Sequence, residues 1–89
     1  MKKTQPEAKL LVVDDEPNIL ELLATSLRFA GFEVVTASNG REALDKATAE
    51  TPDLAVLDVM LPDMDGFTVT RRIRATGLVF PILFLLSLI

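Results

Sequence analysis

Short apolar runs that end at acidic residues are the clearest pattern along this chain. Leu10 to Val13 is a continuous apolar run that stops at Asp14, and the segment 53–58 (DLAVLD) has an apolar centre that stops at Asp58. Runs of this length are typical of strands that are buried on both faces of a sheet. The pattern therefore predicts a first strand at Leu10 to Val13 and a third strand at 53–58.

Between these two runs, the spacing of apolar residues changes to that of a helix. Pro17 suits the first position of a helix, and Gly31 is a typical residue for ending one. Apolar residues between them recur every three or four positions, which predicts a stripe that faces the core. The residues of this predicted inward stripe are Ile19, Leu23, Leu27 and Ala30.

A second strand and a second helix are predicted before the third strand. Glu33 to Ala37 (EVVTA) has the composition of a short strand, and Ser38 and Asn39 are expected to form only a turn. The segment 41–50 then predicts a helix that Pro52 follows. Its narrow apolar face consists of Ala43, Leu44 and Ala47.

A third helix and a fourth strand complete the pattern. Pro62 and Gly66 interrupt the chain as a loop does, and Gly77 is expected to end the helix that follows. The helical spacing in this segment involves Phe67, Thr70, Ile73 and Arg74. A fourth strand is predicted from Pro81 to about Leu86. Strands that alternate with helices in this way indicate an α/β fold with a parallel sheet and right-handed crossovers.

Composition narrows the functions that this chain can have. Its 89 residues suffice for one small domain, which we place at 10–89 after a polar N-terminal extension at 1–9. The net charge of −4 disfavours direct binding of nucleic acid, since a phosphate-backbone binder needs a basic face. The absence of His and Cys excludes imidazole and thiolate chemistry. The five Phe residues are expected in the core.

Neither end of the chain has the pattern of a membrane segment. The run 78–89 is strongly apolar, but it contains Pro81 and is shorter than the roughly 20 residues that a spanning helix needs. The first apolar run, Leu10 to Val13, is too short for a signal peptide. We therefore predict no membrane insertion and a cytoplasmic location.

Three aspartates are expected to meet at one edge of the predicted sheet. Asp14 and Asp15 follow the first strand, and Asp58 ends the third. Parallel strands share a carboxyl edge, which is where open α/β sheets bind their ligands. Three neighbouring carboxylates repel one another, so a cation or a proton is needed there. Oxygen ligands suit Mg²⁺ or Mn²⁺, and the sequence therefore predicts a divalent metal site.

Simpler roles also fit the charged residues. An acid before Pro17 is often a helix N-cap, and we expect this role for Glu16. Asp63 and Asp65 are predicted as turn and cap residues at the start of the third helix. A cluster of three arginines is expected to be a solvated face with a smaller chance of contacting a partner. This cluster is Arg71, Arg72 and Arg74.

Two segments resemble the receiver domain of bacterial two-component response regulators. These segments are 10–16 (LLVVDDE) and 57–66 (LDVMLPDMDG). The segments 18–31 and 71–74 further resemble receivers of the winged-helix transcription factors typified by OmpR and PhoB. The resemblance extends from about Leu10 to Leu85 and implies a flavodoxin-like fold with strand order 2-1-3-4.

The resemblance also implies a role for each acidic residue. Asp58 would accept a phosphoryl group from a phosphohistidine on a sensor histidine kinase. Asp14 and Asp15 would hold Mg²⁺, or Mn²⁺, together with the Asp58 carboxylate and the main-chain carbonyl of Met60. Such a domain is a phosphoacceptor for a partner kinase and is not an enzyme in its own right.

The chain also departs from the family pattern. It resembles a receiver truncated after the fourth strand, so that the fifth strand with its Lys and the fourth and fifth helices are missing. Leu86 stands where the family has a Thr or Ser hydroxyl, and Ser87 lies one residue too late. We therefore expect impaired phosphorylation.

Two alternatives to a phosphoacceptor are weighed, and the departure from the family pattern favours the first of them. The first is a non-phosphorylated pseudo-receiver that binds a partner or forms a homo-oligomer through the edge of the fourth strand. The second is a hydrolase, which is disfavoured because the first strand lacks the Asp-x-Asp spacing of haloacid-dehalogenase phosphatases.

Overall fold

Four parallel strands and three helices make up the computed structural model, which describes residues 8–86. The strands are Lys9–Val13 (β1), Glu33–Ala37 (β2), Leu54–Asp58 (β3) and Ile82–Leu85 (β4). The helices are Pro17–Phe29 (α1), Gly40–Glu50 (α2) and Gly66–Ala75 (α3). The strand order is β2-β1-β3-β4, which confirms the predicted α/β class and strand order.

The register of the sheet aligns the carboxyl ends of its strands. Val13 at the end of β1 pairs with Leu57 in β3, and Asp58 pairs with Leu85 in β4. The amide of Asp14 donates to the Ala37 carbonyl of β2 at 3.2 Å. These pairings hold the acidic residues that follow β1 and β3 at one edge of the sheet.

Helix α1 covers one face of the sheet, but its predicted inward stripe was partly wrong. Ala24 is buried and packs with Val12 of β1 and Val34 of β2. Ile19 is 41% exposed and Ala30 is also exposed. The apolar residues that pack toward this core from α1 are Leu20, Leu23 and Leu27. The first turn of α1 follows the acidic edge, so Ile19 lies beside that edge rather than over the sheet.

Helices α2 and α3 cover the opposite face. The predicted face of α2 is confirmed, because Ala43 and Ala47 are buried and Leu44 packs against the same core. The predicted face of α3 was partly wrong. Its buried apolar residues are Val69 and Ile73, whereas Phe67 is half exposed. Helices α2 and α3 therefore approach the sheet through small or β-branched side chains.

The expectation that the phenylalanines form the core was partly wrong: Phe32 and Phe80 are half-buried and pack against the two cores, but the other three are exposed. Phe29 at the end of α1 is 94% exposed. Phe67 and Phe84 are partly exposed and contact each other, with ring centroids 4.9 Å apart. The fully buried residues of both cores are aliphatic or alanine side chains.

Side-chain caps begin all three helices. Glu16 accepts a hydrogen bond from the Asn18 amide, and Asp65 accepts one from the Thr68 amide, which confirms both as N-caps. Asn39 was predicted to form only a turn, but it is the N-cap of α2. Its side chain accepts a hydrogen bond from the Glu42 amide at 2.8 Å.

Strand β4 lies at an edge of the sheet and is shorter than the predicted 81–86. In the described residues it pairs with β3 alone. The exposed side chains of this segment include Leu83, Phe84 and Leu86. Ser87 lies outside the described residues. Within residues 8–86, no helix has the length and apolar character that a transmembrane span requires.

Candidate functional site

The carboxyl edge of the sheet brings three aspartates together. One carboxylate oxygen each from Asp14, Asp15 and Asp58 can be chosen so that all three lie within 4.8 Å of one another. Asp14 and Asp58 are buried, with 5% and 6% of their surfaces exposed, whereas Asp15 is exposed. Two desolvated carboxylates therefore face a third carboxylate that is open to solvent.

Asp14 is the carboxylate whose environment most opposes ionisation. Burial raises the pKa of its carboxyl group above the ordinary value, and the negative charges of Asp58 and Asp15 raise it further. The Glu16 amide, which donates to Asp14 Oδ1 at 2.9 Å, has the opposite effect on the pKa. The repulsion that remains would be relieved by a cation that all three side chains contact.

The backbone around Asp58 is held from several sides. The Met60 amide donates to Asp58 Oδ1 at 3.1 Å, so the chain folds back beside the carboxylate immediately after β3. The Gly66 amide donates to the Val59 carbonyl at 2.7 Å. A side chain at Gly66 would begin only 2.7 Å from the carbonyl oxygen of Asp58, so this close approach requires glycine. The start of α3 therefore supports Asp58 directly.

A cleft of about 130 Å³ opens beside the buried acids. Asp14 and Asp58 line it together with Ile19, Leu85 and Leu86. Ile19 was predicted to lie in the core, and Leu85 was not predicted as part of the site. Only the pairing of Leu85 with Asp58 would have identified it, and that register depends on the folded sheet.

Asp63 lies in a bend before α3, which agrees with its predicted turn role, but its side chain contacts the start of α2. Its two carboxylate oxygens accept hydrogen bonds from the Gly40 amide at 2.7 Å and the Arg41 amide at 2.9 Å. These two bonds lower the pKa of Asp63. The residues are more than twenty positions apart, so no local pattern in the sequence indicates this contact.

The arginine cluster of α3 is a solvated face, as predicted. Arg71, Arg72 and Arg74 are all exposed. Arg74 donates to the Leu78 carbonyl at 3.2 Å, and its guanidinium lies 5.8 Å from the centre of the Phe80 ring. Arg74 therefore holds the segment that leads into β4.

The chemistry of the acidic cluster fits a hard divalent cation. All three side chains offer carboxylate oxygens, which Mg²⁺ and Mn²⁺ prefer over softer ligands. The two buried carboxylates lack a nearby basic partner among the ion pairs of the described chain. A site that keeps one exposed carboxylate also leaves room for water, which Mg²⁺ usually retains.

Comparison with protein families agrees with this geometry. Residues 10–87 match the response regulator receiver domain. The chain belongs to this family. The matched residues include the sheet and the three aspartates at its carboxyl edge.

Several bacterial transcriptional regulators are similar to this receiver. The alkaline phosphatase synthesis transcriptional regulatory protein PhoP of Bacillus subtilis is 56% identical over 77 residues, which cover 86% of this chain and 32% of PhoP. Response regulator MprA of Mycolicibacterium vanbaalenii is 49% identical over 77 residues, covering 86% of this chain and 33% of MprA. The chain thus spans about a third of the length of these relatives. They confirm the resemblance to OmpR- and PhoB-like receivers.

Solved receiver structures share the fold. Chemotaxis response regulator CheY4 of Vibrio cholerae has a TM-score of 0.83 at 40% identity, with 86% of this chain and 66% of CheY4 covered. Response regulator TrrA of Thermotoga maritima, solved in complex with Mg²⁺-BeF, has a TM-score of 0.81 at 44% identity. That match covers 88% of this chain and 68% of TrrA. These matches confirm the flavodoxin-like receiver fold.

Proposed function

We propose that this receiver accepts a phosphoryl group on Asp58 in a two-component phosphorelay. The observation that carries the proposal is the meeting of Asp14, Asp15 and Asp58 within 4.8 Å at the carboxyl edge of the sheet. The family match over residues 10–87 and the Mg²⁺-BeF complex of the similar TrrA support the same assignment. The phosphoryl donor would be a phosphohistidine of a sensor histidine kinase.

The reaction requires a nucleophile that is held in place. An oxygen of the Asp58 carboxylate attacks phosphorus, the bond between phosphorus and the kinase imidazole breaks, and the imidazole departs as an acyl phosphate forms. Asp14, Asp15, Asp58 and the main-chain carbonyl of Met60 would hold Mg²⁺, with Mn²⁺ as a substitute. When bound, the ion neutralises negative charge on the phosphoryl oxygens and fixes their position.

Apolar residues at the mouth of the site should make the reaction slow. Leu85 and Leu86 line the cleft beside Asp58, and neither side chain can donate a hydrogen bond to a phosphoryl oxygen. Lys9 pairs with Glu50, and Lys46 donates to the Thr36 carbonyl, so these two lysines are engaged elsewhere. Without a hydroxyl or lysine donor to the phosphoryl oxygens, the transition state and the phosphorylated product are less stabilised than they would be with such a donor.

Intact mass spectrometry after incubation with acetyl phosphate and Mg²⁺ tests the proposal. We expect partial conversion of the wild type to a species that is heavier by one phosphoryl group. Asp58→Asn should abolish this species, and omission of Mg²⁺ should do the same. Asp45→Asn, which changes an exposed acid on α2, is the matched control and should leave conversion unchanged. An adduct that persists in Asp58→Asn would contradict the assignment.

A second candidate function is favoured by the exposed side chains of β4. Leu83 is 56% exposed and Leu86 is 70% exposed, and β4 has no second partner strand among the described residues. A pseudo-receiver could use this edge to dimerise or to bind another chain without phosphoryl transfer. No adduct in the mass experiment, together with a stable complex in size-exclusion chromatography, would favour this function over the first.

The proposal also includes a role in transcription, a location and partners for this receiver. Relatives such as PhoP are transcriptional regulators by name, so we propose that this receiver acts in the control of transcription, in the cytoplasm. Direct contact with DNA is not assigned to these 89 residues, whose net charge is −4. The sensor kinase and, through β4, a second copy of the chain are the proposed partners.

A further inference from the structure

The loop between β3 and α3 is attached to the start of α2 by Asp63. One carboxylate oxygen of Asp63 accepts from the Gly40 amide at 2.7 Å, and the other accepts from the Arg41 amide at 2.9 Å. Gly40 is buried, and the space that a side chain there would need is filled by the Met64 side chain and by Asp63. The hydrogen bonds and the packing thus independently join the loop to α2.

This attachment lies in the middle of the loop, where the side chains of Leu61 and Met64 also pack against the core. At its first end, the Met60 amide bonds to the Asp58 carboxylate, and at its far end the Gly66 amide bonds to the Val59 carbonyl. Of residues 60–64, Asp63 is the one whose side chain hydrogen-bonds to a different element within the described chain. The two Asp63 bonds are therefore the side-chain hydrogen bonds that hold the middle of the loop against α2, beside the apolar packing of Leu61 and Met64.

We propose that Asp63 is a positioning residue that holds the Met60 carbonyl in place for the divalent cation. Asp63 does not bind the ion itself. It fixes the loop against α2, so that the carbonyl three residues earlier does not have to be ordered when the ion binds. This inference rests on the proposed function, because it assumes that the ion binds at Asp14, Asp15 and Asp58.

A helix cap alone would be the simpler role for Asp63, and the chain offers a control for it. Asn39 already caps α2 by accepting from the Glu42 amide, and the Glu42 carboxylate accepts from the Ser38 amide. Removing Asn39 therefore weakens the same end of α2 without touching the loop. A residue that acts only as a cap should behave as Asn39 does.

The inference is tested by titrating the full chain with Mg²⁺ and monitoring the backbone amide signals by NMR, which gives the Mg²⁺ affinity of each variant. Asp63→Ala should weaken Mg²⁺ binding about tenfold, the lower end of what loss of an outer-shell partner costs, and Asn39→Ala by less than about twofold. Asp63→Asn, which retains one oxygen acceptor, should lie between Asp63→Ala and the wild type. Equal affinities for wild type and Asp63→Ala, or equal losses in the Ala variants at Asp63 and Asn39, would overturn the inference.

A second measurement without metal separates this inference from the proposed function. In the metal-free protein, Asp63→Ala should speed hydrogen exchange at the Met60 amide, whereas Asn39→Ala should not. If the wild type takes up no Mg²⁺, the proposed metal site fails, and the exchange of Met60 still decides whether Asp63 orders the loop. Unchanged exchange at Met60 in Asp63→Ala would show that it does not. Asp63→Asn serves for both measurements if Asp63→Ala does not fold.

Discussion

When Asp14 is ionised and no cation is bound, its buried carboxylate lowers the free energy of unfolding. Its pKa is raised above 3.8, chiefly because burial removes water from the carboxylate. The folded protein therefore holds the Asp14 proton more tightly than the unfolded chain. Consequently, Asp14 destabilises the fold at a pH above the pKa that it has in the folded protein. This penalty disappears as the pH falls below the pKa that Asp14 has in the unfolded chain.

Asp14→Asn should stabilise the metal-free protein at neutral pH. The amide has nearly the shape of the carboxylate, and its oxygen can still accept from the Glu16 amide, but it carries no charge to desolvate. We expect thermal denaturation at pH 7 without Mg²⁺ to give a higher midpoint for Asp14→Asn than for wild type. The difference should shrink as the pH is lowered toward 4, because the wild-type carboxyl group then becomes protonated.

Magnesium should reverse the order of the two proteins. In the proposed site the ionised Asp14 carboxylate holds Mg²⁺ only in the folded state, so saturating Mg²⁺ should raise the midpoint of the wild type and leave that of Asp14→Asn nearly unchanged. Asp15→Asn is a suitable comparison, because Asp15 is exposed and its loss relieves only a smaller repulsion on Asp14, so it should stabilise the metal-free protein less than Asp14→Asn does. A wild type that is more stable than Asp14→Asn without metal at pH 7 would contradict this account of Asp14.

At the scale of elements, small side chains set how closely α2 approaches the sheet. Ala43 and Ala47 are 0% and 1% exposed and belong to the larger core. Ala47→Leu should therefore lower the free energy of unfolding by about 1–3 kcal/mol, the usual cost of overpacking a close-packed core. Ala49→Leu, on the exposed side of the same helix, should change it by less than about 0.5 kcal/mol. Urea denaturation of the two variants measures both effects.

The elements that were predicted correctly are those whose pattern is local. Strands β1 and β3 are apolar runs bounded by acids, and the face of α2 is set by its own spacing. The errors arose where a neighbouring element decides the outcome. Ile19 has helical spacing with the core residues of α1, but the acidic edge lies beside the first turn, so this side chain lines the cleft. Asp63 precedes α3 in sequence, yet the amides that it reaches belong to α2.

Across the whole molecule, apolar surface is covered unevenly. On the side of the sheet that α1 covers, the core contains Val12 of β1 and Val34 of β2. On the same side, β3 and β4 carry Val56 and Leu83, which are paired in register, and Leu83 is 56% exposed. An exposed apolar edge of this kind is a template for pairing with another chain. The receiver should therefore self-associate through β4.

A charge on β4 should reduce this association. Leu83→Lys places a positive charge on the exposed side of the edge strand, where pairing with a second copy would bury it. We expect sedimentation velocity at micromolar concentration to show a larger monomer fraction for Leu83→Lys than for wild type.

Phe29→Lys is the matched control, because it removes a side chain that is 94% exposed at the end of α1, away from β4. If general surface hydrophobicity drove association, Phe29→Lys would reduce it at least as much as Leu83→Lys, since Phe29 exposes more of its side chain. Equal effects of the two variants, or a monomeric wild type, would contradict association through β4. A reduction confined to Leu83→Lys would assign the contact to the edge strand that borders the Asp58 cleft. Occupation of this edge by a second copy would then change access to the proposed phosphoacceptor, Asp58.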